Sequence, residues 1–250
     1  MNDFSNSLKY WRAARRYSQL DLAMEAEISA RHLSFLETGR ARPSRDMVVR
    51  LGEALELPLD ARNQMLTQAG FAARYAGRDW DNAAMVPIRH ALSRQLQRHL
   101  PYPGLALDRL WTIREANPAA LTLFASLGVG IGDSLLAMLM LENMPQMIEN
   151  WPEVAHHAAM RLRTESAAQG GIPEFTQAMR YLTAAATGYA PNSTPVVPTI
   201  LRLGDHRLSM FATISHFGTA EDLLLDQLKI ELYYPMDDAT AQIFEAMAAC

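Results

Sequence analysis

A single cysteine, Cys250, occurs among the 250 residues. One thiol cannot close an internal disulfide or build a cysteine-based zinc site, so a reducing compartment is expected. Long apolar runs are also lacking. No stretch of about eighteen consecutive apolar residues is present, which argues against a membrane-spanning helix. The opening residues, Met1-Asn2-Asp3-Phe4-Ser5-Asn6-Ser7, are polar and lack the apolar core of a signal peptide. A cytoplasmic protein is the expectation.

Catalytic and metal-binding patterns are missing too. Gly128-Val129-Gly130-Ile131-Gly132 is rich in glycine but has neither the GK[ST] ending of a phosphate loop nor the spacing of a dinucleotide fingerprint. It reads as a loop before a helix capped by Asp133 or Ser134. His156 and His157 are adjacent, so on a helix they face different ways and do not chelate together. His206 and His216 are isolated. Ser134 and the other serines lack a nucleophile-elbow context. No set of acid, base and nucleophile emerges, so a non-enzyme without a metal is expected.

What the chain does have is apolar content and an uneven charge. Hydrophobic residues make up 49% of it, enough for one large core or two modest ones. Residues 1–75 carry 11 Lys+Arg and 9 Asp+Glu, a net +2, and residues 76–250 carry 12 and 18, a net −6. The overall −4 argues against a generic nucleic-acid coat. The split suits a DNA-contacting head on an acidic body.

Helical spacing gives five helices before residue 72. The first covers Ser5–Arg16, with Leu8 and Trp11 inward. Ser18 caps the second, with Leu20, Leu22 and Ala23 expected inside. Ser29 caps the third, which runs to Glu37, buries Leu33 and Leu36, and stops at Gly39. Pro43-Ser44 opens the fourth, with Met47, Val48, Leu51 and Leu55 inward, and Pro58 opens the fifth, ending near Ala69-Gly70. Residues 73–86 lack periodicity and read as a linker.

The remainder, 87–250, reads as α+β. A helix from Pro87 to His99 precedes a hairpin over Gly104–Asn117, turning near Asp108-Arg109. Helices fill Pro118 to Thr187, and Pro191–Pro198 is a proline-rich loop. Three strands, Thr199–Leu203, Arg207–Ser215 and Leu228–Tyr234, close the chain, with Gly204-Asp205 turning between the first two. The fold class is mainly α, with an antiparallel sheet covered by helices in the C-terminal part.

Two short helices joined by a tight turn, the second polar on one side, present a helix to the major groove of DNA. Gln19 stands where free backbone amides and a side-chain donor can clamp a phosphate. The third helix exposes Ala30, Arg31, Ser34 and Phe35. Arg31 can bind guanine O6 and N7, and Ala30 can meet a thymine methyl. Arg40, Arg42 and Ser44 follow in a loop suited to the backbone. Five arginines, Arg31, Arg40, Arg42, Arg45 and Arg50, face only Glu37 and Asp46 over this stretch. Glu37 is expected to brace the turn internally.

At these residues the chain resembles the helix-turn-helix of the XRE family, the phage repressor and Cro type. The resemblance runs through Ser18-Gln19-Leu20-Asp21-Leu22-Ala23, Ile28-Ser29, Leu33-Ser34-Phe35-Leu36-Glu37-Thr38-Gly39-Arg40 and Pro43-Ser44. It implies that Gln19 contacts phosphate and that Ala30, Arg31 and Phe35 face bases. It also places Ser18, Ser29, His32 and Thr38 in the interface. Phe35 departs from the family, where a polar residue is usual.

A longer resemblance is to the MmyB-like regulators, which join a XRE head to a PAS-like ligand-binding domain. It is carried by Arg40-Ala41-Arg42-Pro43-Ser44, Pro101-Tyr102-Pro103, Leu107-Asp108-Arg109-Leu110-Trp111, Ala116-Asn117-Pro118-Ala119-Ala120 and Asn150-Trp151. It implies a fatty-acyl or similar apolar ligand, held non-covalently between sheet and helices. Four methionines within ten positions, Met138, Met140, Met144 and Met147, suit a ligand of adaptable shape. Trp111, Phe124, Met138 and Met140 are candidate lining residues, with Trp151, Met210 and Phe211.

The expected function is a sequence-specific transcriptional regulator, dimeric on a pseudo-palindromic operator, whose body senses a small apolar ligand. The alternative is a body that serves only dimerisation or protein contacts. The presence or absence of a ligand discriminates the two.

Overall fold

The computed structural model describes residues 3–190, 195–218 and 220–248. Cys250 and the first half of the expected proline-rich loop, residues 191–194, lie outside them. The chain forms two compact units. No described helix is long and apolar enough to cross a membrane.

The first unit comprises Met1–Gly77 together with Ser166–Gly171 and Thr219–Asp226. Its five helices are α1 (Asp3–Ala14), α2 (Gln19–Glu25), α3 (Ala30–Glu37), α4 (Arg45–Ala54) and α5 (Leu59–Gln68). Serine caps set three of the starts. The Ser18 Oγ accepts from the Asp21 amide at 3.1 Å, while the Asp21 carboxylate accepts from the Ser18 amide at 3.1 Å, a reciprocal capping box. Ser29 and Ser44 accept from the amides of His32 and Met47 at 3.1 and 3.2 Å. Gly39, at φ +73°, turns the chain out of α3 through a region that a side chain disfavours. Phe4, Leu8, Leu22, Leu33, Leu36 and Leu51 are fully buried at the centre.

Two expectations for this unit fail. The first helix starts earlier and ends two residues sooner than Ser5–Arg16. Leu20 is 59% exposed, not inward. Leu22, Ala23 and Ala26 form the buried stripe of α2, and a residue two positions before Leu22 points away from it.

The stretch after α5 is also less free than its lack of periodicity implied. The buried Asn63 side chain accepts from the amides of Arg74 and Tyr75 at 2.9 and 3.0 Å and donates to the Tyr75 carbonyl at 2.8 Å. Tyr75 is itself buried. An asparagine clasp of this kind holds an irregular segment with hydrogen bonds instead of a repeating apolar face, so helical spacing does not reveal it.

The second unit comprises Arg78–Glu165, Ile172–Gly218 and Gln227–Cys250. A 3₁₀ turn, Ala83–Met85, leads into α6 (Val86–Arg98). Then come β1 (Gly104–Leu107), β2 (Ile113–Ala116), α7 (Pro118–Ala125), α8 (Leu135–Leu139), α9 (Met144–Met147), α10 (Trp151–Ala168) and α11 (Phe175–Ala185). The chain closes with β3 (Thr199–Leu203), β4 (His206–His216), β5 (Lys229–Pro235) and α13 (Asp238–Ala248), while α12 (Leu223–Gln227), between β4 and β5, falls mostly in the first unit. The five strands form one antiparallel sheet in the order β2-β1-β5-β4-β3. The expected architecture, an antiparallel sheet with helices after a helical head, is the observed one.

Side-chain hydrogen bonds fix the hairpin. Asp108 Oδ1 accepts from the amides of Leu110 and Thr112 at 2.8 and 3.0 Å, which sets the turn, and Oδ2 pairs with Arg114. The fully buried Asn117 caps α7 through Ala120 and also accepts from the Gly104 amide. It donates to the carbonyls of Leu96 and Tyr102. One asparagine thereby ties α6, β1 and α7 together.

The chain does not end on the third expected strand. The helix α13 follows it, burying Thr240 and Phe244 one turn apart. The Thr240 hydroxyl accepts from the Ser209 amide on β4 at 3.0 Å. With only two buried positions, this helix shows a weak apolar stripe.

Candidate DNA-reading helix and ligand cavity

The α2–turn–α3 pair is braced from inside by Glu37, which is 1% exposed. Its carboxylate accepts from Arg12 Nε at 2.6 Å, Arg12 Nη2 at 3.2 Å and Gln19 Nε2 at 2.6 Å. Arg12 also donates to the Tyr17 carbonyl at 2.9 Å. The buried carboxylate leads the causes that hold the Arg12 guanidinium above its ordinary pKa, against the opposing effect of burial. Gln19 thereby commits one of its two amide N–H donors to Glu37.

On α3, Ala30, Arg31, Ser34, Phe35 and Thr38 share a face by helical spacing. Arg31 is exposed, Ser34 and Phe35 are half-buried, and Ala30 packs partly against the core. The Arg31 guanidinium lies over the Phe35 ring, 5.4 Å from its centroid. Ser18, Ser29 and Ser44 accept helix-cap hydrogen bonds through their hydroxyl oxygens, so each marks a helix start, a role that does not use its O–H donor. His32 donates its amide to the Ser29 cap, and the Thr38 hydroxyl turns back to the Ser34 carbonyl at 2.7 Å. Arg40 and Arg42 stand exposed after α3, with Arg45 and Arg50 exposed on α4.

The second unit contains a cavity of about 300 Å³ between sheet and helices. That is the low end of the range for small-molecule sites. Leu123, Phe124 and Leu127 reach it from α7 and its end, and Leu135, Met138 and Leu139 from α8. Val154, Ala158 and Arg161 reach it from α10 at spacings of four and three, one helical stripe. Leu201, Ala212 and Ile214 come from β3 and β4.

One end of the cavity is polar. Arg161, Glu231, Tyr233 and Trp111 line it, and Glu165 and Lys229 stand behind them. Glu165 accepts from Arg161 Nε at 2.8 Å, Lys229 Nζ at 2.6 Å and the Trp111 indole at 2.8 Å. Arg161 Nη2 lies 2.5 Å from Glu231 Oε1, and the Tyr233 hydroxyl donates to Glu231 Oε2 at 3.0 Å. The guanidinium of Arg161 sits 4.1 Å from the Trp111 ring centroid.

The pKa directions follow from this packing. Burial alone would raise the Glu165 carboxyl, but Lys229 and Arg161 outweigh it and hold it below the ordinary value. Burial lowers the Lys229 ammonium, with Glu165 opposing. Burial and then the Glu231 charge push the Tyr233 phenol well up.

Of the candidate lining residues, Trp111, Phe124 and Met138 line the cavity. The other four do not. Phe211 stacks on Tyr234, 5.4 Å between centroids, because it alternates to the sheet face opposite Ala212. Met210 shares the face of Ala212 but is buried in the core and does not line the cavity. Trp151 is buried one turn ahead of the α10 stripe, and Met140 caps the end of α8 against the core.

Arg161, Glu231 and Tyr233 were absent from the sequence candidates. Arg161 is visible in retrospect as a charge on the apolar stripe of Val154 and Ala158. Glu231 is hidden, because in Leu228-Lys229-Ile230-Glu231-Leu232 the alternation assigns the charges to solvent. In the fold Lys229 and Glu231 are 4% and 3% exposed.

A helix-turn-helix family model matches residues 8–62. No curated protein matches the chain. Among solved structures, the chain is similar to the PAS domain from Bordetella pertussis BvgS, at 11% identity and a TM-score of 0.32, covering 67% of this chain and 96% of that one. It is also similar to an RNA-binding light-oxygen-voltage receptor, at 14% identity and a TM-score of 0.29, covering all of this chain and 65% of that one. Likeness at those scores carries no argument about function. The model described as MmyB-like transcription regulator ligand binding domain matches residues 88–247, well over half of the chain. With a helix-turn-helix head and that domain behind it, the chain belongs to the MmyB-like transcription regulators: it is a DNA-binding regulator with a ligand-binding domain.

Proposed function

We propose that the protein is a cytoplasmic, dimeric, sequence-specific regulator whose second unit senses a small apolar ligand, fatty-acyl chains being one candidate. The observation that carries the reading is the cavity between sheet and helices, walled mainly by aliphatic and aromatic side chains and polar at one end. A body used only for dimerisation has no need of such a space, since an empty apolar cavity costs stability.

On DNA, Arg31 reads guanine, with Ala30 and Phe35 as apolar neighbours. Arg40 and Arg42 hold the backbone, helped by the amides at the start of α2. One helix reads only a few base pairs, so two heads meet half-sites about 34 Å apart on a pseudo-palindrome. A ligand alters binding only by favouring one arrangement of the heads over another.

Native mass spectrometry of the purified protein tests the ligand. A co-purifying species of lipid size, lost in Ala158→Phe, supports the sensor. A ligand-free protein that no decyl compound stabilises thermally sinks it.

A further inference from the structure

The sheet closes most of its edges with other parts of the chain. At β2, the Ile113 amide donates to the Asp133 carbonyl at 2.9 Å, and the Ile113 carbonyl accepts from the Gly132 amide at 2.8 Å. At β3, the Ile200 carbonyl accepts from the Glu149 amide at 2.8 Å, and the Ile200 amide donates to Asn150 Oδ1 at 3.1 Å. Where β5 runs past β1, the Tyr233 amide donates to the Pro103 carbonyl at 2.9 Å. Where β4 begins ahead of β5, Ser209 is held by the Thr240 hydroxyl and the Met236 amide. The second half of β4 differs. The β3 ladder stops at Thr199, opposite Met210, and the residues before it, Pro195-Val196-Val197-Pro198, are irregular. β4 runs on to His216 with β5 on one side alone. The Gly204-Asp205 turn pairs Leu203 with His206, so His206, Leu208 and Met210 aim their amides and carbonyls at β3. By the same alternation Ala212, Ile214 and His216 aim theirs at the open side, where none has a hydrogen-bond partner among the described residues.

We infer that this edge is the contact for a second copy of the chain, two β4 strands pairing antiparallel about a two-fold axis at Ile214. The pairing is self-complementary. Ile214 meets its counterpart, and Ala212 meets the counterpart of His216, so each residue facing the open side donates one hydrogen bond and accepts one. Charge permits it. Residues 211–216, Phe-Ala-Thr-Ile-Ser-His, contain no lysine, carboxylate, proline or glycine, the residues that keep a lone edge from pairing. Residues 212–216 are exposed, Ile214 by 41%. On the axis Ile214 gains an apolar neighbour, while Thr213 stands opposite the counterpart of Ser215 on the other face. A foreign extended peptide could bond to the same amides. The second copy is favoured because its edge matches in register, length and lack of charge. This rests on the dimeric reading above and gives that dimer its contact surface. A ladder this short falls below the standard interface of about 1,600 Å², so self-association is weak.

Two measurements on the full chain test this, with reductant present so that Cys250 cannot cross-link copies. Sedimentation gives the dimer dissociation constant, and amide hydrogen exchange over residues 211–217 locates the contact. Wild type should dimerise with a constant on the order of 1–100 μM, as a small contact gives. Exchange over 211–217 should slow as concentration rises. Ile214→Pro removes the amide on the axis without touching a bond to β5, and should raise the constant at least about tenfold. Ile214→Lys keeps the amide but sets two ammonium groups together at the axis, and should weaken the dimer similarly. It decides alone if the proline variant fails to fold. A wild-type dimer whose exchange over 211–217 ignores concentration overturns the interface while the dimer stands, and so does a folded variant that dimerises like wild type. A wild type that stays monomeric across that range overturns the interface and the dimer together.

Discussion

The guanidinium of Arg31 rests over the ring of Phe35, one helical turn further along α3, at 5.4 Å from the centroid. A phenylalanine where a polar residue is usual thereby gains a use. It restrains a long flexible side chain, so under the proposed docking less rotamer entropy is lost when Arg31 meets a base. Arg31→Ala should weaken binding to the specific site by about 1–3 kcal/mol and relax specificity there. Phe35→Ala should cost about 0.5–1 kcal/mol, the range for an exposed cation–π contact. Fluorescence anisotropy on the specific site and on single-base variants separates the two effects.

Arg40 should behave differently. It stands exposed after the helix, and the proposed docking sets it against phosphate. Arg40→Ala should weaken all DNA sequences alike and reduce the slope of log affinity against log salt by about 1. Titrations at several salt concentrations check this, and a sequence-dependent loss would place Arg40 on a base instead.

Glu37 is the hinge of the head's stability. Removing it in Glu37→Ala leaves the Arg12 guanidinium and the Gln19 amide without their shared acceptor. The loss should be about 3–5 kcal/mol, as for breaking one side of a buried pair. Chemical denaturation should show it as a lower midpoint. Glu37→Gln should cost less, since it keeps an acceptor oxygen.

The depressed Glu165 carboxyl makes a pH prediction. Its folded-state pKa lies below the ordinary value, so the folded protein binds that proton less readily than the unfolded chain. Its contribution is therefore full above the ordinary carboxylate range and is lost as pH falls through the folded value. The stability difference between wild type and Glu165→Gln, about 1–3 kcal/mol near neutrality, should shrink on acidification. Thermal melts of both proteins across acidic pH measure it.

The head was the legible part of the sequence. Ser18, Ser29 and Ser44 announce helix starts through local chemistry, and Leu33 and Leu36 announce a buried face through spacing. Three of the strands were visible within a residue or two, because their apolar content and turns are local. Non-local chemistry was hidden. The Asn63 clasp joins residues without any repeat, and the Phe211 side chain was read onto the wrong sheet face. The polar end of the cavity inverts the alternation rule, since Lys229 and Glu231 face inward and are stabilised by partners 60 or more residues away in sequence. Met140 and Met147 pack on the core while Met138 and Met144 line the cavity, a division that only three-dimensional placement determines.

The central claim is that occupancy of the cavity alters DNA binding. The direct measurement is the affinity of the full chain for a DNA site selected in vitro, with and without saturating 1-decanol, in wild type and in Ala158→Phe. Coupling of typical strength predicts a change of about fivefold or more in wild type and none in the variant, whose cavity is filled. Identical isotherms in wild type, with decanol shown by calorimetry to be bound, would contradict the account.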